Sequence, residues 1–337
     1  MMNSMFVDLL KGVKKVTLVG YYGANNFGDD IMMMSIVNEL RKYCIDISII
    51  GVGPIDWIYG DIEVFYFRPN NPIGNFITFQ KAIRNSSVVM WGGGTCFTDE
   101  DADGLFNYML YAKLRIKKIF YVGVGIGNLN ILTRKAKAII LINLSSYISF
   151  RDHKSFKKGR QWCFSNSLKL IKTDDPANRF LQLVIQSIPK RKECKEYGVI
   201  SWRNLDKYNL CGKKIDMVAL YCLQKLCEKH GLSKLVVIDA DSKEDSKIAM
   251  KLIRFLKDNS NGIEIIYDNT KSYINKLIIL KNARIIMTSR LHVAIAAHYL
   301  EKRCFAYNYS PKIESFVNET ADPNITLIGD LNLLIKK

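Results

Sequence analysis

No Cys-x-x-Cys pair occurs in this sequence, and none of its eight cysteines has a histidine nearby at metal-ligand spacing. A structural zinc site and a disulfide framework are therefore not expected; Cys222 and Cys227, five apart in a helical pattern, read as small core residues. No apolar run reaches the roughly 18 residues that a membrane span needs, Ala138 to Leu144 being short and interrupted by Asn143. The opening MMNSMFVDLLKGVKK has neither a basic n-region nor a cleavage site, so a secretory signal is not expected and a reduced, cytoplasmic protein is. Fixed-period repeats and low-complexity tracts are absent. So are helix-turn-helix, RNA-binding and zinc-finger patterns, which leaves nucleic acid without a recognisable reader.

What is present is a chain of 337 residues with 48% hydrophobic side chains, enough for large cores and two domains of about 150 residues each. The net charge of +17 is uneven: residues 1–100 hold 8 Lys/Arg against 10 Asp/Glu, and residues 101–200 hold 19 against 7. Most of the excess lies between Lys113 and Lys195. It suits a solvated lysine-rich surface, an anionic membrane face or anionic substrates.

Short apolar strands alternate with helices. Strands are expected at Lys15–Val19, Asp46–Val52, Ile62–Phe67, Ser87–Trp91, Lys118–Val122, Tyr147–Phe150 and Leu168–Thr173. Helices are expected near Ile31–Tyr43, Phe76–Arg84, Leu105–Arg115 and Ile131–Leu141. The rhythm returns with strands Gly198–Trp202, Lys234–Asp239, Ile263–Tyr267, Arg284–Met287, Cys304–Tyr307 and Ile325–Ile328, and helices Met217–His230, Asp245–Asp258, Ser272–Leu280 and Leu331–Lys337. This is an α/β pattern of doubly wound parallel sheets. It predicts a Rossmann-like domain over 1–176, a charged crossing over 177–196 and a second Rossmann-like domain over 197–337, the two facing across a cleft.

Ligands of such sheets bind outside the carboxyl ends of the strands, and the glycine-rich and charged loops fall there. GYYGANNFGDD lacks the GK[ST] of a Walker loop and is not GxGxxG. Gly20, Gly23 and Gly28 permit tight turns and close approach to a ligand, while Asn25, Asn26, Asp29 and Asp30 can meet sugar hydroxyls or cap the following helix. Gly92-Gly93-Gly94-Thr95 leaves backbone N–H groups bare for a sugar or phosphate. Asp99 is the candidate for polarising a hydroxyl nucleophile; the acidic run of Asp99, Glu100, Asp101 and Asp103 is read as solvated rather than as a metal site. Arg151 and Arg203 each follow a strand, where a guanidinium can grip a carboxylate or phosphate or make an interface ion pair.

Near the C-terminus, TSRLHVAIAAH is expected to start a helix capped by Ser289, placing Arg290 and His292 in a first turn that favours an anion. Lys312 follows the next strand. The same spacing also suits a solvated Arg, a core His and a surface Lys. His153 adjoins Arg151, His230 ends a helix, and His298 reads as structural.

In order, GYYGANNFGDD, WGGGTCFTDE, GVGIG, ISFRDHKS, TDDPA, ISWRN, TSRLHVAIAAH and YNYSPK resemble the polysaccharide pyruvyl transferase family, from Gly20 to Lys312. The resemblance implies a GT-B-like fold and transfer of the carbon skeleton of phosphoenolpyruvate onto a sugar as a pyruvate ketal, with no metal and no nucleotide cofactor. It implies phosphoenolpyruvate contacts at Arg151, Arg290, His292 and Lys312, to which Arg203 is added here, and makes His292 the candidate general acid. The acceptor side falls to Gly23, Asn26, Asp29, Gly93, Gly94 and Thr95. The expected acceptor is a galactose- or N-acetylhexosamine-type sugar of a surface-polysaccharide precursor, carried on a polyprenyl diphosphate at the inner membrane face. The chain departs from the family pattern at Val124 and Asn128, where Gln and Pro are usual, and at Glu301-Lys302-Arg303, where Gly-x-Pro is usual. Two other functions fit the pattern: a GT-B glycosyltransferase with Glu301 or Glu314 on a ribose, and a non-catalytic carbohydrate- or membrane-binding protein.

Overall fold

The computed structural model describes residues 4–55, 58, 60–99, 103–164, 170–188, 197–205, 228–259 and 262–328. Most of the expected helix Met217–His230, the terminal helix Leu331–Lys337, Cys222, Cys227, Glu100 and Asp101 lie outside them. The chain divides into two compact units, Met1–Phe180 and Leu181–Lys337, a boundary inside the stretch expected to be a crossing.

The N-terminal unit is built on β1 (Lys15–Val19), β2 (Asp46–Gly51), β3 (Glu63–Tyr66), β4 (Val88–Gly92), β5 (Thr95–Phe97), β6 (Lys118–Ile126), β7 (Tyr147–Phe150) and β8 (Leu170–Lys172). Their order is β3-β2-β1-β4-β6-β7-β8, all parallel, with short β5 beside β6. Alternation along each strand feeds two cores. Val16 and Leu18 pack on one face with Ile47, Ile49, Val88 and Met90. Val19 packs on the other with Ile50, Val89 and Tyr121. Thr17 points to the second face and hydrogen-bonds Ala82 O at 2.9 Å, so this buried hydroxyl is satisfied.

In the C-terminal unit, β9 (Tyr197–Ser201), β10 (Lys234–Ile238), β11 (Glu264–Asp268), β12 (Ile285–Thr288), β13 (Arg303–Tyr307) and β14 (Ile325–Ile328) form a parallel sheet in the order β11-β10-β9-β12-β13-β14. That is the doubly wound order, and its direction reverses between β9 and β12. The helix Leu291–Tyr299 buries Leu291, Val293, Ala294, Ile295, Ala296 and Ala297, so its apolar run covers most of its circumference. Both units are α/β with parallel sheets, as the strand–helix rhythm predicts.

Several boundaries differ. The second helix begins at Phe27, because Asn26 caps it by accepting from the N–H groups of Gly28 and Asp29. The third begins at Pro72 behind the cap Asn71. Ser289 does not cap Leu291–Tyr299: the N-cap position is Arg290. Its N–H donates to Thr288 Oγ1 at 2.8 Å, while Ser289 Oγ accepts the N–H of Arg203 at 2.7 Å.

Candidate active site

In the C-terminal unit the reversal point between β9 and β12 carries Arg203 just beyond one strand and Arg290 just beyond the other. The Arg203–Ser289 hydrogen bond joins the two strand ends directly. Tyr309, buried beyond β13, lies between the cationic side chains. Arg203 Nη1 donates to its hydroxyl at 3.3 Å, the guanidinium lies 5.9 Å from its ring centre, and Lys312 Nζ lies 6.0 Å from the same centre. Burial alone would push the Tyr309 phenol up, but the charges of Lys312, Arg203 and Arg290 outweigh it and the net direction is down. Arg203 and Lys312 thus flank one buried phenol, and the charge of Arg290 also favours its ionised form.

Arg290 is held from behind by carboxylates. Its Nε reaches Asp245 Oδ1 and Oδ2 at 3.1 and 3.0 Å, Nη2 also bonds Asp245, and Asp241 stands 3.9 Å away. This is a bidentate fork, which fixes the guanidinium plane. Asp245 also accepts the N–H groups of Ala240 and Asp241 at the start of the helix Ser242–Asn259. Glu244 approaches Arg203 Nη2 at 4.0 Å. The cations are thus partly neutralised and strongly oriented.

Burial pushes the Asp245 carboxyl up to about 6, against the pull of Arg290 and the Asp241 N–H. For Arg290, burial opposes the charge, but Asp245 more than offsets it and its pKa is raised. Both partners are charged at neutral pH. Since an unfolded aspartate titrates near about 4, the folded chain holds an extra proton between about pH 4 and 6. Stability from this group is therefore present below that window and is lost as pH rises through it, by about 3 kcal/mol. Urea unfolding of the wild type and Asp245→Asn across pH 4–7 should show the wild-type advantage shrinking toward pH 6 and then levelling. A constant difference would rule out the raised Asp245 value.

His292 occupies the first turn of Leu291–Tyr299 and is half-buried, one residue beyond the Arg290–Leu291 step. His298 Nδ1 pairs with Asp322 Oδ2 at 2.5 Å, in keeping with a structural role. His230 packs 6.1 Å from the Phe305 ring, and burial, then Arg303, lowers its pKa. His153 is exposed at the start of the helix His153–Trp162.

The N-terminal unit assembles its loops at the carboxyl edge of its own sheet. Arg151 is buried beyond β7, with Nη1 on Asp175 Oδ2 at 2.9 Å and Nη2 on Thr95 Oγ1 at 3.1 Å. The partner is Asp175, not the neighbouring Asp152, which caps the next helix through Ser155. Gly93 and Gly94 both have φ of +77°, and a Cβ on Gly94 would stand 3.1 Å from Asp29 Oδ1. Thr95, Gly94, Asp29 and Arg151 therefore share one neighbourhood. Gly23 N–H donates to Asp30 Oδ1 at 3.2 Å, and Asn26 spends its side-chain oxygen on the helix cap. Asp99 accepts the N–H groups of Asn130 and Ile131 at the start of Leu132–Leu144, a capping geometry. Among the described residues no group of three or more His, Cys, Asp or Glu could hold a metal ion.

Sequence reasoning missed Tyr309, Asp245 and Asp175. The signals were there: two tyrosines in YNYSPK, the acidic run DADSKED after β10, and the doubled aspartate of TDDPA. It also missed Tyr22, whose buried hydroxyl donates to Gly92 O at 2.7 Å and ties the first glycine loop to the second.

A family model for polysaccharide pyruvyl transferase matches residues 26–311, and the chain belongs to that family. Solved structures with the same fold include a candidate UDP-N-acetylglucosamine 2-epimerase from Listeria monocytogenes (TM-score 0.70, 12% identity, 96% of this chain and 86% of that one). Another is the Methanocaldococcus jannaschii UDP-GlcNAc 2-epimerase in complex with UDP-GlcNAc and UDP (TM-score 0.66, 14% identity, 96% and 90%). A third is the Neisseria meningitidis UDP-GlcNAc 2-epimerase bound to UDP-GlcNAc (TM-score 0.63, 13% identity, 96% and 89%). At these identities the likeness establishes the GT-B-like, two-domain α/β fold. No curated protein matches the chain in sequence.

Proposed function

We propose that this polysaccharide pyruvyl transferase takes its pyruvyl group from phosphoenolpyruvate and sets it on a galactose- or N-acetylhexosamine-type sugar as a ketal, releasing phosphate. The observation that carries the reading is the gathering of Arg203 and Lys312 around buried Tyr309, with Arg290 beyond the neighbouring strand end, at the reversal point of the C-terminal sheet. Phosphoenolpyruvate carries roughly three negative charges, and preorganised guanidinium and ammonium groups suit both its carboxylate and its phosphate. Within the N-terminal unit, Arg151 is the proposed anion contact.

The chemistry balances without a cofactor. A proton goes to the methylene carbon, with His292 as its donor, while a sugar hydroxyl bonds to the adjacent carbon and loses its own proton. The C–O bond to phosphate then breaks and a second hydroxyl bonds to the same carbon; of the two hydroxyl protons one leaves with the phosphate and one restores His292. Gly23, Asn26, Asp29, Gly93, Gly94 and Thr95 are the proposed acceptor side. The proposed acceptor is a lipid-linked precursor of a surface polysaccharide, met at the inner face of the membrane.

Phosphate release from phosphoenolpyruvate should appear only with an accepting sugar, tested over galactosides and N-acetylhexosaminides, free and lipid-linked. His292→Ala should lower it by about a hundredfold or more, the usual scale for a positioned general acid. Asp99→Asn keeps an acceptor for the Asn130 and Ile131 N–H groups; retained activity in this variant would assign Asp99 to capping and not to hydroxyl activation. No release with any acceptor, together with stabilisation by a nucleotide sugar, would replace this reading with a glycosyltransferase.

A further inference from the structure

Most exposed apolar side chains of a folded protein are scattered and need no explanation. One on this chain does. The helix Phe106–Leu114 ends in a turn in which the Lys117 N–H bonds Ala112 O and the Ile116 N–H bonds Lys113 O. This is a Schellman-type stop, and its left-handed residue is normally glycine. Here it is Ile116, at φ +59°, a conformation that a β-branched side chain adopts only under strain. The strained side chain is left in solvent: it is 92% exposed, and Leu114 beside it is 74% exposed. The sequence thus gives up local stability to hold a large apolar group in solvent.

The surroundings say what would cover it. Lys113, Arg115 and Lys118 are exposed in the same turn, and Lys117 Nζ reaches Arg84 O at 3.3 Å, placing the turn beside the end of the helix Pro72–Ile83. The two helices are clamped by Phe76–Tyr111 and Phe79–Tyr108 ring contacts and by a Gln80–Tyr111 hydrogen bond. Ile73, Ile77, Lys81 and Arg84 occupy positions i, i+4, i+8 and i+11 of Pro72–Ile83 and its cap, one stripe of the helix. Ile73 is 76% exposed and Ile77 46%. Apolar tips ringed by lysine and arginine complement the interface of an anionic bilayer, where the side chains enter the headgroup boundary and the cations meet lipid phosphates. A protein partner's apolar pocket would not need so many flanking cations. Among the described residues no helix is long and apolar enough to span a membrane, so the contact is peripheral.

We propose that the turn Lys113–Lys118, with Leu114 and Ile116 at its tip and the Ile73–Arg84 stripe beside it, is a docking surface for an anionic lipid bilayer. This narrows the membrane contact of the proposed function to one helix pair and the turn at its end, and it is testable without phosphoenolpyruvate or an acceptor. Failure here would therefore leave the pyruvyl-transfer reading standing, and loss of that activity would leave this one standing.

The test is co-sedimentation of the full chain with vesicles of phosphatidylcholine alone or with about a third phosphatidylglycerol, at low and high salt. The wild type should bind the anionic vesicles and release at high salt. Ile116→Gly should bind about tenfold more weakly, the scale of one large side chain withdrawn from the interface, yet melt at a higher temperature because glycine relaxes the turn. Lys113→Glu/Arg115→Glu should abolish binding and keep the fold. Equal binding of wild type and Ile116→Gly, or no wild-type binding to anionic vesicles, would overturn the proposal. So would a concentration-dependent self-association that Ile116→Gly abolishes, which would make a second copy the occupant.

Discussion

Arg290→Ala should lose at least a hundredfold in acceptor-dependent phosphate release and also unfold more easily, by about 3–5 kcal/mol, the usual cost of stranding a buried charge. The stranded charge is Asp245, which is fully buried and takes two edges of the guanidinium fork. The two losses have different causes and separate in a double-mutant cycle. Asp245→Asn keeps the Arg290 charge but loosens its orientation, so activity should fall less than in Arg290→Ala. The double variant Arg290→Ala/Asp245→Asn should regain much of the stability, since no buried charge is left alone, while remaining inactive. Urea midpoints and phosphate-release rates on the four proteins measure both. Wild-type activity in Arg290→Ala would remove Arg290 from the site. Equal instability of the single and double variants would show that the Asp245–Arg290 pair is not what holds this sheet edge together.

Gly23→Ala should be the most damaging glycine substitution in the first loop. Gly23 sits at φ +73°, and a Cβ there would lie 2.3 Å from Gly53 O and 2.7 Å from Gly53 C. Both obstacles are backbone, which cannot rotate aside as a side chain would. Left-handed strain and the overlap together should cost about 3 kcal/mol or more. Gly94→Ala offers the contrast. Its φ is +77°, but the nearest atom to the added Cβ is Asp29 Oδ1 at 3.1 Å, the end of a side chain that can shift. That variant should lose only about 1 kcal/mol. It should lose acceptor turnover out of proportion, because the methyl group displaces a carboxylate on the proposed sugar side. Comparable urea midpoints for the two variants would refute this account of the loop.

The contrast also shows what glycine patterns in a sequence can say. GYYGANNFGDD marks a tight loop after a strand, and that is where it lies. It cannot say whether Gly23 is glycine for a ligand or for Gly53, because the second strand's loop is 30 residues away in the chain and adjacent only in the fold. Asn26 and Asp99 divide similarly. Each has the chemistry to bind a sugar hydroxyl, and each is found accepting backbone N–H groups at a helix start, a use that depends on where the helix begins.

By itself the sequence determined the class of the molecule. Short, continuously apolar strands alternating with helices admit little other than parallel, doubly wound sheets, and turn-forming loops must then fall at strand ends. Its motif order also determined the family. Cations placed just after strands could be named from spacing, so Arg203, Arg290 and Lys312 were legible as candidates. Their partners were not. Asp245 lies 45 residues from Arg290, and Tyr309 lies 106 residues from Arg203. Tertiary structure alone decided these pairings, because burial sets the cost of an unpaired charge and only the strand order β10-β9-β12-β13 brings an acidic turn, two guanidinium groups and a phenol to one edge.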